Sequence, residues 1–147
     1  MTGERSMPLL TLPTGRLLTA SIAGPLGVGV LWLLIGGTVC TWETGLTGLW
    51  SGMIVAGVGV AADLLVGPWR PRPAVSWMSL WILHSMLRVG GSIGLVILLY
   101  FASSPDPVNL LFSYLACSLV GLAWETTVWT EPLRNAGRDA TREQQAE

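Results

Sequence analysis

Residues 47–66, TGLWSGMIVAGVGVAADLLV, form an apolar run that contains a single ionisable side chain, Asp63. A helix rises about 1.5 Å per residue, so a run of this length covers the roughly 30 Å of hydrocarbon in a bilayer. Gly67 and Pro68 follow directly, and such a pair is typical of a helix end. The run therefore predicts a transmembrane helix.

Three further apolar runs lie on either side of this one, at residues 17–41, 77–102 and 108–129. Pro25 either kinks the first run or lies near its first turn, where a missing amide donor is tolerated. The chain is 51% hydrophobic and 12% charged, whereas an ordinary soluble domain has about 25% charged residues. We therefore predict an all-α membrane bundle of four transmembrane helices over residues 17–129. Polar segments at residues 1–16 and 130–147 flank it, and the second is either a solvated helix or disordered.

The arginines predict the orientation of the bundle. Seven of the eight basic residues lie outside the four runs, and all seven fall on one side of a four-span topology. The connections that carry Glu43 and Asp106 have no basic residue. Basic residues in short loops stay on the cytoplasmic side, so both termini are expected in the cytoplasm. Five tryptophans near the span ends are expected at headgroup level: Trp42, Trp50, Trp69, Trp77 and Trp129.

Four ionisable residues lie inside the predicted spans: Asp63, His84, Arg88 and Glu125. Each needs a partner, because a charge at the bilayer centre costs about 2.5–3.5 kcal/mol on insertion scales. His84 and Arg88 are four residues apart and share one helix face. Because Cβ bonds tilt toward a helix N-terminus, Arg88 points back toward the cytoplasm, whereas Asp63 and Glu125 point deeper into the membrane. The three side chains are therefore expected to converge at one depth between spans two, three and four.

This polar cluster has two interpretations. In the structural one, Asp63 and Glu125 extend to the interface and Arg88 ties the helices together. In the functional one, the charges form an intramembrane site for a carboxylate or a cation. His84 is interpreted as a hydrogen-bonded packing residue rather than a metal ligand, because no second His or Cys lies at ligand spacing.

Small residues four positions apart form three ridges that permit close helix approach. The first ridge is Gly48, Gly52 and Ala56, the second is Gly90 and Gly94, and the third is Cys117 and Gly121. Such ridges mostly mediate packing inside a bundle, whereas an outward-facing ridge is a candidate for docking a partner helix.

Several classes of function find no support in the sequence. The net charge of −1 and the absence of a basic tract argue against nucleic acid as a partner. The chain has no Gly-rich phosphate loop, no HExxH motif and no Cys pair at metal spacing. The loops are also too short to build a soluble active site. We therefore expect no enzyme activity, no cofactor and no metal site, and the lipid bilayer as the first partner.

The order of these features resembles the ATP synthase protein I family, whose members are small four-span accessory proteins of the rotary ATP synthase. The resemblance covers roughly residues 16–129 and is carried by a glycine-spaced second span and by a basic loop at residues 69–73. It also includes an embedded basic residue in LRV at residues 87–89, and FSYL at residues 112–115 followed by WET at residues 124–126.

The resemblance implies a bacterial inner-membrane protein that helps c subunits assemble into their ring, with a further role in magnesium supply. Arg88 would then pair with the membrane-embedded carboxylate of a c subunit. The ridge from Gly48 to Ala56 would receive a glycine-rich helix of that subunit. If Asp63 and Glu125 both satisfy Arg88 internally, however, none of its charge is left for a client.

Two other functions compete with assembly. In a small ion or proton transporter, the four buried ionisable residues would line a polar pathway. The outer halves of spans three and four oppose this, because they are apolar apart from Ser92, Tyr100, Ser113 and Tyr114. The chain would serve equally well as a structural subunit of another membrane complex.

Overall fold

The structure is a computed structural model that describes residues 9–146, and this part of the chain contains four long helices. These are α1 (Thr14–Val39), α2 (Trp42–Val66), α3 (Ala74–Ser103) and α4 (Pro107–Ala146). Each contains a stretch long and apolar enough to cross a membrane: Thr14–Val39, Trp42–Val66, Val75–Ser103 and Pro107–Pro132. The prediction of an all-α, four-helix, multi-pass membrane bundle is confirmed. The cytoplasmic placement of both termini stays a prediction.

The helix ends follow local capping chemistry. α2 begins at Trp42, five residues before the predicted start, because the Thr41 hydroxyl accepts a hydrogen bond from the Thr44 amide at 3.2 Å. It ends at Val66, and the next residue, Gly67, caps the helix with a φ of 64°. α4 begins behind Asp106, whose carboxylate accepts from the Asn109 amide at 2.9 Å.

α4 continues through the polar tail to Ala146, with Pro132 inside it. Of the two alternatives for the tail, the structure has the helix. An exposed ion pair joins α4 to α1, with Arg16 Nη1 lying 2.8 Å from Glu131 Oε2. Pro25 lies in the interior of α1 rather than in its first turn.

A short strand pair that the sequence pattern does not predict closes one end of the bundle. β1 (Leu9–Leu10) pairs antiparallel with β2 (Arg72–Pro73). The Leu12 amide also donates to the Pro68 carbonyl at 3.2 Å. The segment before α1 and the loop between α2 and α3 therefore lie together at the same end, as they must after two crossings.

α1 and α2 pack backbone against backbone. A Cβ built at Gly52 would lie 2.7 Å from the Pro25 carbonyl oxygen and 3.1 Å from Gly29 Cα, closer than side chains normally approach. α4 packs against both of these helices. α3 packs mainly on α2 and is the least covered span, with 17% of its apolar stretch buried compared with 44% for α2.

Two apolar layers fill the interior. The inner layer lies at the end where α1 begins and consists of Leu12, Leu17, Ala20, Val66, Trp77, Val128 and Trp129. The outer layer, nearer the start of α2, consists of Val55, Tyr114 and Cys117, with Val28 and Val96 packed against it. Trp77 and Trp129 are thus buried in the bundle rather than lying on its outer surface, whereas Trp42, Trp50 and Trp69 are exposed.

Candidate functional site

A cluster of five polar side chains lies between the two apolar layers, and every helix contributes to it. Ser21 comes from α1, Asp63 from α2, His84 and Arg88 from α3, and Glu125 from α4. All five are between 0 and 3% exposed. The structure thus brings together the four ionisable residues that the sequence singles out, and it adds Ser21.

The charges pair differently from the expected convergence of both acids on Arg88. Arg88 Nη1 forms an ion pair with Glu125 Oε2. His84 Nε2 lies 3.0 Å from Asp63 Oδ1. This contact is close in distance, although its angle falls outside that of a well-aligned hydrogen bond. His84 is therefore the neighbour of an acid, rather than only a helix-packing residue.

Ser21 joins the two acids. Its Oγ lies 2.5 Å from Asp63 Oδ2 and 2.7 Å from Glu125 Oε1. The residue-by-residue reading of charges missed Ser21 because a serine in an apolar helix usually bonds only its own backbone.

Two glycines make room for the Arg88 guanidinium. A Cβ at Gly121 would collide with Arg88 Nη2 and lie 3.0 Å from Pro25 Cγ. A Cβ at Gly59 would lie 3.7 Å from Arg88 Cζ. Gly121 precedes Glu125 by four residues and shares its helix face. The third ridge therefore accommodates the arginine, whose Nη2 is buried and has no hydrogen-bond partner among residues 9–146.

Apolar side chains enclose the cluster at both ends. On the inner side, the Trp129 ring lies 5.8 Å from the His84 ring and 5.8 Å from the Trp77 ring, measured between centroids. On the outer side lie Val55 and Cys117. The charges are therefore enclosed by apolar side chains inside the bundle. The low dielectric there strengthens every polar contact and penalises every unpaired group.

At the level of the outer layer and beyond it, polar side chains again pair inside the bundle. Ser51 Oγ lies 2.9 Å from Ser113 Oγ, and Ser92 Oγ lies 3.0 Å from the Tyr114 hydroxyl. All four residues are buried. Three of the four polar residues that the sequence shows in the outer halves of spans three and four are thus interhelical ties, and only Tyr100 is exposed.

A further polar tie lies near the opposite end of the bundle from β1 and β2. The Trp32 indole N–H donates to Asn109 Oδ1 at 2.9 Å, and Asn109 Nδ2 donates to the Thr44 carbonyl at 3.1 Å. Three helices, α1, α2 and α4, meet in this contact. Asn109 is therefore a structural residue, and the pattern of charged residues in the sequence does not reveal it.

The small-residue ridges divide into internal and external ones. The first ridge faces α1, since a Cβ at Gly48 would collide with the Trp32 side chain. The second ridge faces outward, because a Cβ at Gly90 or Gly94 would meet nothing within 4 Å. The expected site for a c-subunit helix along Gly48, Gly52 and Ala56 is thus occupied by a helix of the same chain.

The arrangement can hold charge and exchange protons internally, but it does not have the form of a metal centre. Within the described part of the chain, no group of three or more His, Cys, Asp or Glu side chains is placed to hold a metal ion. Comparison with family models, curated proteins and solved structures finds no match for this chain.

Proposed function

We propose that this chain is an accessory protein of a bacterial inner-membrane ATP synthase and that it binds c-subunit helices while the c-ring assembles. The resemblance of its spans to the ATP synthase protein I family suggests this role. One observation supports it: α3 presents an uncovered face with a glycine notch at Gly90 and Gly94, where nothing lies within 4 Å. A small-residue notch lets a second helix approach closely inside a membrane.

The surroundings of the notch fit a docking face for a membrane helix. α3 is the least covered of the four spans. Its outward side chains near the notch are apolar and exposed, as at Leu87, Ile97 and Leu98. In a bilayer such a surface rests equally well against lipid or against an apolar helix, so shape complementarity decides between the two. The notch provides that complementarity to a helix that is itself rich in small residues.

Arg88 has a different role in this proposal from the one that the resemblance implies. Its guanidinium is buried and paired with Glu125, so it has no charge directed toward a client. It instead holds α3 against the rest of the bundle, and α3 packs on α4 much less than on α2. Arg88 thereby keeps the docking face in place without touching the partner.

The experiment is co-expression of the chain with the c subunit of the same genome, with intact rings scored on a mild-detergent gel. The test variant is Gly90→Leu with Gly94→Leu, which fills the notch. The matched control is Gly27→Leu on α1, another exposed glycine with nothing within 4 Å. We expect more rings with the wild type and the control than with the notch variant or without the chain. Equal ring yields in all four lanes would refute the proposal.

A second candidate function is proton transport, and the recurrence of polar groups along the interior favours it. The polar cluster, the Ser92–Tyr114 contact and the Ser51–Ser113 contact lie at successive depths between α2, α3 and α4. The apolar side chains of Val55 and Cys117 lie in the same stretch of the interior and leave the series discontinuous. Purified chain in liposomes should then carry a proton flux that Asp63→Asn abolishes, whereas an assembly protein would carry none.

A further inference from the structure

The loop between α2 and α3 carries two arginines and no acid. Its sequence over residues 67–73 is GPWRPRP. Arg70 is exposed and Arg72 is partly exposed, and neither forms an ion pair with any residue that the structure describes. Arg16 lies at the same end of the bundle, but Glu131 already compensates its charge. The two loop arginines therefore present uncompensated positive charge.

The fold holds this loop beside the ends of two spans. The Leu12 amide donates to the Pro68 carbonyl at 3.2 Å, and β1 pairs with β2. Trp69 is exposed just after α2, where an indole ring settles at the level of the lipid headgroups. A Cβ built at Gly67 would lie 3.6 Å from Trp69 Cζ2 and 3.7 Å from Arg70 Cδ, so both side chains lie over the end of α2. Arg70 is therefore positioned at headgroup level.

An aromatic ring orients the second loop arginine. Arg72 Cζ lies 5.6 Å from the ring centroid of Trp77, which is buried. A guanidinium that stacks on a ring keeps its N–H edge available for a phosphate. The loop thus presents two arginines that are restrained before any ligand binds, which lowers the entropic cost of binding.

An apolar groove runs between α2 and α3 beneath this loop. Its volume is about 430 Å³ and every residue that lines it is apolar, including Val58, Ala61 and Leu65 on α2 and Met86, Leu87 and Gly90 on α3. Its end at Leu65 lies two residues before Gly67. From Leu65 to Val58 the groove follows α2 for about 10 Å, at about 1.5 Å per residue. One leaflet contains roughly 15 Å of hydrocarbon, so the groove covers most of the depth that an acyl chain occupies.

We propose that the loop and the groove together form a binding site for one anionic phospholipid. The guanidiniums of Arg70 and Arg72 bind the phosphate of the headgroup, and an acyl chain lies in the groove between α2 and α3. Arginine recognises phosphate through parallel N–H···O bonds, and a zwitterionic headgroup binds less tightly because its own ammonium compensates the charge. The groove shares Leu87 and Gly90 with the face proposed for a partner helix, so the lipid borders that face.

Native mass spectrometry of the purified full chain in a mild detergent measures this binding without any c subunit, so its outcome is independent of the assembly role. The chain is titrated with phosphatidylglycerol and, separately, with phosphatidylcholine that has the same acyl chains. An arginine beside an anionic lipid contributes about fivefold in affinity, and two contribute about 25-fold. We expect phosphatidylglycerol to bind more tightly than phosphatidylcholine by about this factor. Equal affinities would overturn the proposal.

Charge-matched variants test whether the loop arginines form the site. Arg70→Gln with Arg72→Gln should lower the affinity for phosphatidylglycerol by about 25-fold and leave that for phosphatidylcholine unchanged. The control, Arg134→Gln with Arg138→Gln, removes the same charge from exposed arginines of α4 and should lower it by less than about fivefold. Equal losses in the two double variants would overturn the site, because bulk charge alone would then explain the binding. Should the loss of Arg72 unfold the chain, as judged by circular dichroism, Arg70→Gln alone should lower the affinity by about fivefold.

A bulky substitution and a soluble analogue test the role of the acyl chain. Ala61→Phe fills the groove and should lower the affinity for both lipids, whereas Ala23→Phe, at an exposed alanine of α1, should not. Glycerol 3-phosphate has the headgroup phosphate without the acyl chains and should not displace phosphatidylglycerol. Unchanged lipid binding in Ala61→Phe would overturn the proposal. Displacement by glycerol 3-phosphate would overturn it too, because the ligand would then be a soluble phosphate compound.

Discussion

A single added methyl group tests the backbone contact between α1 and α2. In Gly52→Ala, the new Cβ would lie 2.7 Å from the Pro25 carbonyl oxygen, whereas ordinary contact begins at 3.4 Å. The two helices must therefore separate locally by the difference between these distances, 3.4 − 2.7 = 0.7 Å. Overpacking of this kind costs about 1–3 kcal/mol. The new Cβ and the Pro25 carbonyl oxygen are both fixed by their helix backbones, so no flexible side chain can move aside.

Gly57→Ala is the matched control because Gly57 lies on the same helix and a Cβ there meets nothing within 4 Å. Alanine favours a helix over glycine by about 0.5–1 kcal/mol at either position, and this contribution cancels in the comparison. We expect the free energy of unfolding of Gly52→Ala to be lower than that of Gly57→Ala by about 1–3 kcal/mol. The measurement is an SDS titration in mixed micelles, followed by far-ultraviolet circular dichroism. Equal free energies for the two variants would refute the close approach of α1 and α2.

Three further outcomes follow from the structure. Arg88→Met should lower the free energy of unfolding by about 3–5 kcal/mol, because it leaves Glu125 buried without its partner. Adding Glu125→Leu should restore most of this loss, since an apolar pair can replace a buried ion pair. Additive losses for the two substitutions in the same SDS titration would contradict this pairing. Arg16→Ala removes the exposed ion pair to α4 and should cost less than about 1 kcal/mol at low salt and nothing at high salt. Cysteines placed at Trp69 and Ser104, in a chain without its natural cysteines, should react with an impermeant thiol reagent from opposite sides of oriented vesicles, with position 69 cytoplasmic; labelling from the same side would refute the four-span topology.

The sequence predicts the architecture well because the bilayer imposes simple rules. Span number follows from the length of apolar runs, and the C-terminal end of α2 follows from Gly67 and Pro68. The early start of α2 at Trp42 was not predicted, because hydropathy does not register the cap that Thr41 provides. The sequence pattern does not predict the strand pair between Leu9–Leu10 and Arg72–Pro73, because a strand of two residues is too short to show an alternation of apolar and polar side chains.

The sequence predicts which ionisable residues belong to the candidate site, but it does not predict which of them form pairs. Depth along each helix places Asp63, His84, Arg88 and Glu125 near one another. Which acid faces which base depends on the rotation of each helix, and packing between small residues sets that rotation. The contribution of Ser21 depends on the same rotation, since an uncharged hydroxyl becomes informative only once its neighbours are known.

Because all four helices contribute side chains to the polar cluster, the cluster is complete only after the whole bundle has been synthesised. Arg88 is synthesised and enters the membrane before its counter-ion Glu125 exists, because α3 precedes α4 in the chain. Until α4 arrives, the third span carries an uncompensated charge and is a poor candidate for release into lipid. A chain truncated before α4 therefore retains an unpaired arginine in its third span, and we expect that span to insert less completely than in the full chain.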